Sequence, residues 1–177
     1  NSLHDLHQPT PDKLLEWIEK TCIKKKGKLI IPAFSVGRTQ ELLYALNQLE
    51  LERRLPEVDY FVDSPLSVHA TAIVKKYPHD FNSRIRKVLE NDDDPFNFAG
   101  LEFVKTVDES KLLNFRSEPC VIISASGMAD AGRVKHHISN NIENSRNSIL
   151  MTGYCEPHSL GARLQIHAVS NRAHATL

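Results

Sequence analysis

Four short stretches hold the side chains best able to do chemistry. Ala33-Phe34-Ser35-Val36-Gly37-Arg38 joins a hydroxyl, a glycine and an arginine at the start of a helical pattern. A helix start presents unpaired N–H groups and partial positive charge, which suits a phosphate. Gly37 would let a ligand approach the backbone, and the bland alternative is that Ser35 caps the helix while Arg38 pairs with Glu41. Asp63-Ser64-Pro65-Leu66-Ser67 is a second strand-to-helix turn with hydroxyls at its tip, although Asp, Ser and Pro are also ordinary turn and cap residues. The third stretch sets Ser124, Ser126 and Gly127 after a strongly apolar run, followed by Gly132-Arg133 and His136-His137. Arg133 and His137 stand four apart and share a helix face, so they could hold a phosphate and line its path. The fourth, Gly153 to Gly161, offers Tyr154, whose ring could stack on a base or pack in the core.

Other chemistries fit poorly. His136 and His137 are adjacent, about 100° apart around a helix, and do not readily share one metal. A packed or hydrogen-bonded role for one of them is the common alternative. No HxHxDH or HExxH motif and no nucleophile triad is present, and Asp92–Asp94 lacks the periodic oxygen ligands of a calcium loop. His4, Asp5 and His7 lie in an irregular terminal stretch without further matching ligands.

The elements that must position these loops alternate strand and helix. Thr10-Pro11-Asp12 reads as a helix start, and Leu14, Leu15, Ile18 and Cys22 follow at helical spacing up to Gly27. Leu29-Ile30-Ile31, Tyr60-Phe61-Val62, Leu101–Val104, Cys120–Ile123 and Ser148–Thr152 are short apolar runs suited to buried strands. Leu42, Leu43, Leu46 and Leu49 mark one helix face. Helices are expected over 66–76, 79–90, 109–115 and 132–140, with a helical turn near 160–164 and a polar loop over 91–97. Such alternation predicts an α/β fold with a mainly parallel sheet covered by helices on both faces. In that architecture ligands sit beyond the carboxyl ends of the strands, where all four stretches fall.

The bulk composition sets limits. The chain has 177 residues, 22 basic and 22 acidic, for a formal net charge of zero, so any nucleic-acid binding must come from local donors. Three scattered cysteines, Cys22, Cys120 and Cys155, argue against a disulfide framework or a zinc knuckle and suit a cytoplasmic setting. No apolar stretch approaches the ~20 residues of a membrane span. The chain opens on Asn1 in a loop-like segment, and the expectation is an excised piece of a longer protein.

In this order, IPAFSVGRTQELLYAL, VDSPLS, IISASGMADAGRVKHHI and TGYCEPHSLGARL are far more specific than any one of them. The series resembles the β-CASP segment of metallo-β-lactamase-fold nucleases from about Ser2 to Leu164. It is most similar to bacterial and archaeal RNA-processing members related to the eukaryotic subunit that cuts messenger-RNA 3′ ends, with ribonuclease J more distant. The resemblance implies a Rossmann-like β-CASP domain over 1–164, inserted in a metallo-β-lactamase domain. It implies hydrolysis of RNA phosphodiesters by a metal-activated water on two zinc ions, in the cleft between the two halves. The zinc motifs lie outside this chain, which is expected to bind no zinc and to cut nothing alone. Matching residue by residue, Ser35, Gly37 and Arg38 fall on the FSxGR loop, and Ser64 and Ser67 on the SPLS turn. Ser124, Ser126 and Gly127 fall on the SxSGM turn, Arg133 with His136 or His137 on the GRxxHH start, and Gly153, Tyr154 and Gly161 on the last loop. These residues are then expected to bind phosphates or sugars. Asn1–His4 resembles the end of the family's ESTYG segment.

Single-stranded RNA is the expected partner, with DNA, the metallo-β-lactamase half and a second copy of the chain as further candidates, and no membrane. Residues 165–177 match poorly and are expected to be a disordered tail; Arg172–Ala175 only faintly echoes a later family turn, so His174 is assigned no role. Two other readings stay open: a free-standing phosphate- or nucleotide-binding domain, and a protein-interaction module.

Overall fold

The computed structural model describes residues 10–77 and 94–171. The second expected half of the 66–90 region, His4, His7 and His174 lie outside the described residues. Five strands form one sheet, β1 (Lys28–Pro32), β2 (Asp59–Asp63), β3 (Leu101–Phe103), β4 (Cys120–Ser124) and β5 (Ser148–Ile149), in the order β3-β2-β4-β1-β5. Every pairing is parallel. Six α-helices accompany them among the described residues: α1 (Thr10–Ile18), α2 (Arg38–Leu51), α3 (Pro65–Val74), α4 (Val107–Phe115), α5 (Arg133–Asn141) and α6 (Leu160–Asn171).

Each central strand divides its side chains between two cores, as the two-residue repeat of a strand requires. Leu29 and Ile31, Tyr60 and Val62, and Val121 and Ile123 face one layer with Leu14 and Ile18 of α1 and Leu42, Leu43 and Leu46 of α2. On the opposite face Ile30 packs with Val134 and Ile138 of α5 and with Ala162 and Leu164 of α6. Phe61 and Ile122 meet Leu113 of α4 there. Topology explains the split. The chain moves outward in one direction from β1 to β2 with α2 on the first face. It then returns through β4 to β5 with α4 and α5 on the second, as right-handed crossovers demand.

Register decides which residues can form a site. Pro32, Ser124 and Asp63 lie level at the carboxyl edge, whereas Lys28, Cys120 and Asp59 lie level at the amino edge. Gly27 is needed at that second edge because a Cβ there would collide with the Arg146 carbonyl.

Several element ends differ from the sequence expectation. The first helix passes into a π-helical stretch over Glu19–Lys24. Strand β5 is two residues long rather than five, although Leu150 and Met151 beyond it stay buried. Helix α4 starts before Glu109, because Thr106 accepts from the Glu109 N–H while the Glu109 carboxylate accepts from the Thr106 N–H. Helix α6 continues to Asn171, well past the single turn expected, since neither Gly nor Pro interrupts residues 162–171.

Candidate functional site: the carboxyl edge of the sheet

The four loops meet at the carboxyl edge and are bonded to one another. Ser35 Oγ and Ser64 Oγ lie 3.1 Å apart, joining the first loop to the second. The Ala33 N–H donates to the Ser124 carbonyl at 3.0 Å, and the Phe34 ring packs against Gly127, where any Cβ would be within 2.7 Å of it. The Gly161 N–H donates to the Met128 carbonyl at 2.9 Å, and Asp130 Oδ1 accepts from the Leu160 N–H at 2.7 Å, tying the third loop to the fourth.

Local sequence explains the shapes. Gly37 precedes α2 with φ +85°, a conformation that favours glycine. Ser35 makes no cap for α2: Gln40 Oε1 accepts the Gly37 N–H at 2.7 Å, and Gln40 Nε2 returns to the Ser35 carbonyl and Thr71 Oγ1. At α3, Ser64 is a true N-cap, accepting from the Ser67 N–H with Pro65 in the first turn. Gly132 opens α5 with φ +76°, its α-carbon close to the Ala125 backbone, and the Ala125–Ser126 peptide in this turn is cis.

Beneath the loops lies a buried charged cluster centred on Asp63, the last residue of β2, which is fully buried. Its carboxylate accepts from Ser110 Oγ of α4 at 2.5 Å, from Arg133 Nη1 at 2.6 Å and from His137 Nε2 at 2.6 Å. Burial alone would raise the Asp63 carboxyl. Hydrogen bonds from His137, Ser110 and Arg133, together with the charge of His137, outweigh it and hold the group below the usual carboxylate range. His137 Nδ1 faces Asn114 Oδ1 at 2.9 Å. That oxygen is fixed as an acceptor because it also receives Asn141 Nδ2, which in turn donates to the His137 carbonyl. That acceptor turns the His137 ring so that Nε2 points at Asp63. The Arg133 and Ser110 donors favour the carboxylate form of Asp63.

The structure thus divides the expected site residues into two sets. Ser64, Ser67, Ser124 and His137 are buried and held by internal bonds, Ser124 Oγ donating to the Asp63 carbonyl at 2.8 Å. Arg133 is 20% exposed and turned inward onto Asp63 and the Lys105 carbonyl, where a free phosphate-binding group was expected. It does share a helix face with His137, but that face meets a carboxylate of the protein itself. Ser35, Gly37, Arg38, Ser126, Gly127 and Tyr154 are partly or well exposed on the outer surface. Arg38 pairs with Glu41 at 2.6 Å in an exposed ion pair. Tyr154 is 75% exposed, so the core reading of its ring does not hold. Phe34, Val36 and Leu66 add exposed apolar side chains to the same surface.

Sequence reasoning passed over Asp63 as a turn residue. Its signal was an acidic group ending a run of buried apolar residues at the edge where ligands and catalytic groups gather. Ser110 and Asn114 gave no signal, because α4 places them.

No three His, Cys, Asp or Glu side chains converge as a metal-holding group among the described residues. The three thiols are free and buried, and desolvation pushes Cys22 up to about 12 and Cys120 up to about 11. They do not suit a thiolate metal site. The described residues therefore do not fit the zinc ions that the resemblance implies.

Comparison with known sequences decides the family. The pattern of the Beta-Casp domain matches residues 39–164, most of the chain. This chain belongs to the Beta-Casp domain family. It is 33% identical over 161 residues to Ribonuclease TTHA0252 of Thermus thermophilus, covering 91% of this chain and 37% of that protein. It is 36% identical over 153 residues to an RNase J-like protein of Methanocaldococcus jannaschii, covering 86% and 34%. Transcription termination factor FttA of Methanosarcina mazei is 30% identical over 155 residues, covering 87% and 24%. The chain therefore spans about a third or less of the length of these relatives. The matched region runs from Thr39 in the first turn of α2 to Leu164, and it contains the Asp63 cluster and three of the four loops, all but Ala33–Arg38. The family assignment and the relatives' names support a nuclease-family, RNA-processing domain.

Proposed function

We propose that this domain is the substrate clamp of a zinc-dependent ribonuclease, holding single-stranded RNA at the carboxyl edge of its sheet while a metallo-β-lactamase half supplies the metal and the cut. The observation that carries the reading is the division of the site into layers. A rigid buried cluster around Asp63 fixes four mutually bonded loops, and these present Ser35, Gly37, Arg38, Ser126, Gly127 and Tyr154 outward. Rigid support of this kind is what positioning a flexible strand requires, because orientation contributes several kcal/mol to a reaction. Hydroxyls, backbone N–H groups and one arginine suit phosphates and sugars, and the exposed rings of Tyr154 and Phe34 suit stacked bases.

On this reading Arg133 and His137 act through Asp63 as positioning residues rather than as contacts to RNA. The relatives named as ribonucleases support RNA as substrate and hydrolysis as the reaction of the longer protein. A cytoplasmic setting follows the same reading. The test is titration of the chain with short 5′-phosphorylated single-stranded RNA at two salt concentrations, with zinc added and cleavage followed in the same samples. Salt-sensitive binding without cleavage is the expected result. Cleavage by the chain itself, or binding of duplex DNA in preference to RNA, would overturn the assignment.

A further inference from the structure

The opposite, amino edge of the sheet holds a feature that the clamp reading does not use. A cavity of about 180 Å³ opens there between the starts of β1 and β4 and the chain leading into β5. Lys26, Lys28, Arg116 and Arg146 line it together with Ser117 and asparagines that include Asn144, and no acidic residue is among the lining. In a chain whose formal net charge is zero, four cations converging on one polar cavity are a local excess.

Part of that charge has an internal purpose. Helices α4 and α5 end at this edge, and their last carbonyls carry partial negative charge. Lys28 Nζ answers one of these ends, donating to the Leu113 carbonyl at 2.9 Å and the Asn114 carbonyl at 3.0 Å. That accounts for two of its three N–H bonds. Arg116 Nη2 pairs with Asp59 at 2.5 Å, while its buried Nε makes no hydrogen bond and lies 4.0 Å from Glu118. Lys26 and Arg146 form no ion pair among the described residues and stand at the mouth. Asn144 uses its oxygen to accept the Arg146 N–H, which leaves its amide hydrogens for a ligand. Burial first, and the positive charge of Arg116 after it, hold Lys28 below its ordinary value, with Cys120 and Glu118 acting in the opposite sense. A bound anion would relieve that crowding of like charge.

We propose that this cavity is a phosphate-binding site, built by Lys26, Lys28, Arg116 and Arg146 at the edge of the sheet opposite the four loops. The volume admits one phosphate group and a few waters. Its floor is preformed. The Lys28 N–H is fixed on Asn147 Oδ1 at 2.8 Å, and Asn147 Nδ2 is fixed on the Asn141 carbonyl at 3.0 Å. The mouth faces solvent through two long, exposed side chains, so the ligand is either free phosphate or a phosphate of an RNA strand passing the domain. The shared chemistry is a dianionic or diester phosphate met by guanidinium, ammonium and amide donors.

The test follows backbone amide shifts of the isotopically labelled chain titrated with sodium phosphate against chloride at equal ionic strength, and separately with 5′-phosphorylated single-stranded RNA. Saturable shifts at Gly27, Lys28, Ser117, Asn144 and Asn147 are expected in the phosphate arm. The double variant Lys26→Gln/Arg146→Gln, which alters only exposed side chains, should weaken that binding by about tenfold. Arg38→Gln, at the opposite edge, should leave it unchanged. RNA shifting the same amides at lower concentration would assign the site to a strand's backbone, and phosphate shifting them while RNA does not would assign it to a free anion. Absence of saturable shifts at these amides in both arms would overturn the proposal. So would unchanged affinity in the double variant, whose fold is checked by its remaining spectrum.

Discussion

Replacing Asp63 with alanine should be the most damaging single change at the carboxyl edge, and its size can be worked from the structure. The substitution removes a fully buried carboxylate and leaves three donors behind: His137, also fully buried, Arg133 at 20% exposure, and Ser110. Breaking a buried ion pair by deleting one partner costs about 3–5 kcal/mol, because the other charge stays desolvated. An orphaned neutral donor adds about 1–3 kcal/mol in isolation, but the three groups share one acceptor and their losses do not add. A loss of about 3–5 kcal/mol is therefore expected, against a typical total of about 5–15. With a urea slope of roughly 2 kcal/mol/M, the unfolding midpoint should fall by about 2 M. Trp17, the single tryptophan and partly buried against the larger core, reports the transition, and far-ultraviolet dichroism checks that it is two-state. A midpoint within about 0.5 M of the parent, at unchanged slope, would refute the claim that Asp63 holds the cluster together.

The same cluster sets an acid limit. The folded carboxyl of Asp63 lies below its unfolded value of about 3.9, so its contribution is complete above that pH and is lost as pH falls through the folded value. Midpoints measured from neutrality into the acid range should show this loss in the parent and a flatter acid limb in Asp63→Ala. Gly132→Ala places a Cβ against the Ala125 backbone at φ +76°, and should cost more than about 1 kcal/mol by thermal unfolding, with loss of RNA binding as the turn moves. Tyr154→Ala, at an exposed position, should leave the unfolding free energy within about 0.5 kcal/mol of the parent and weaken RNA binding by about 1–3 kcal/mol in a fluorescence titration. Arg38→Ala should lower the salt slope of RNA binding by about 1 while stability holds, since its pairing with Glu41 is exposed.

Sequence legibility followed the period of burial. Leu29–Ile31 and Cys120–Ile123 were readable as strands because both of their faces are covered, so their apolar runs are continuous. The carboxyl-edge location of the loops followed from the parallel sheet that those runs predict. The inner half of the site was not readable. Arg133 and His137 were placed on one helix face by their spacing, but spacing does not say what that face meets, and only the β2–β4 register brings Asp63 under it. Ser35 looked like a helix cap, yet Gln40 reaches back to satisfy the Gly37 N–H, a contact that depends on the turn's left-handed geometry. Helix α6 outran its expected turn because absence of a breaker is a weaker signal than an apolar stripe.

The central claim is that RNA lies across the outer surface of the four loops. Photocrosslinking of 4-thiouridine-substituted single-stranded RNA, with the attached peptides identified by mass spectrometry, tests it most directly. Crosslinks within Phe34–Arg38 and at Tyr154, lost on competition with unlabelled RNA, are the predicted result. Crosslinks confined to other exposed apolar positions, such as Leu112 and Phe115 of α4, would contradict it.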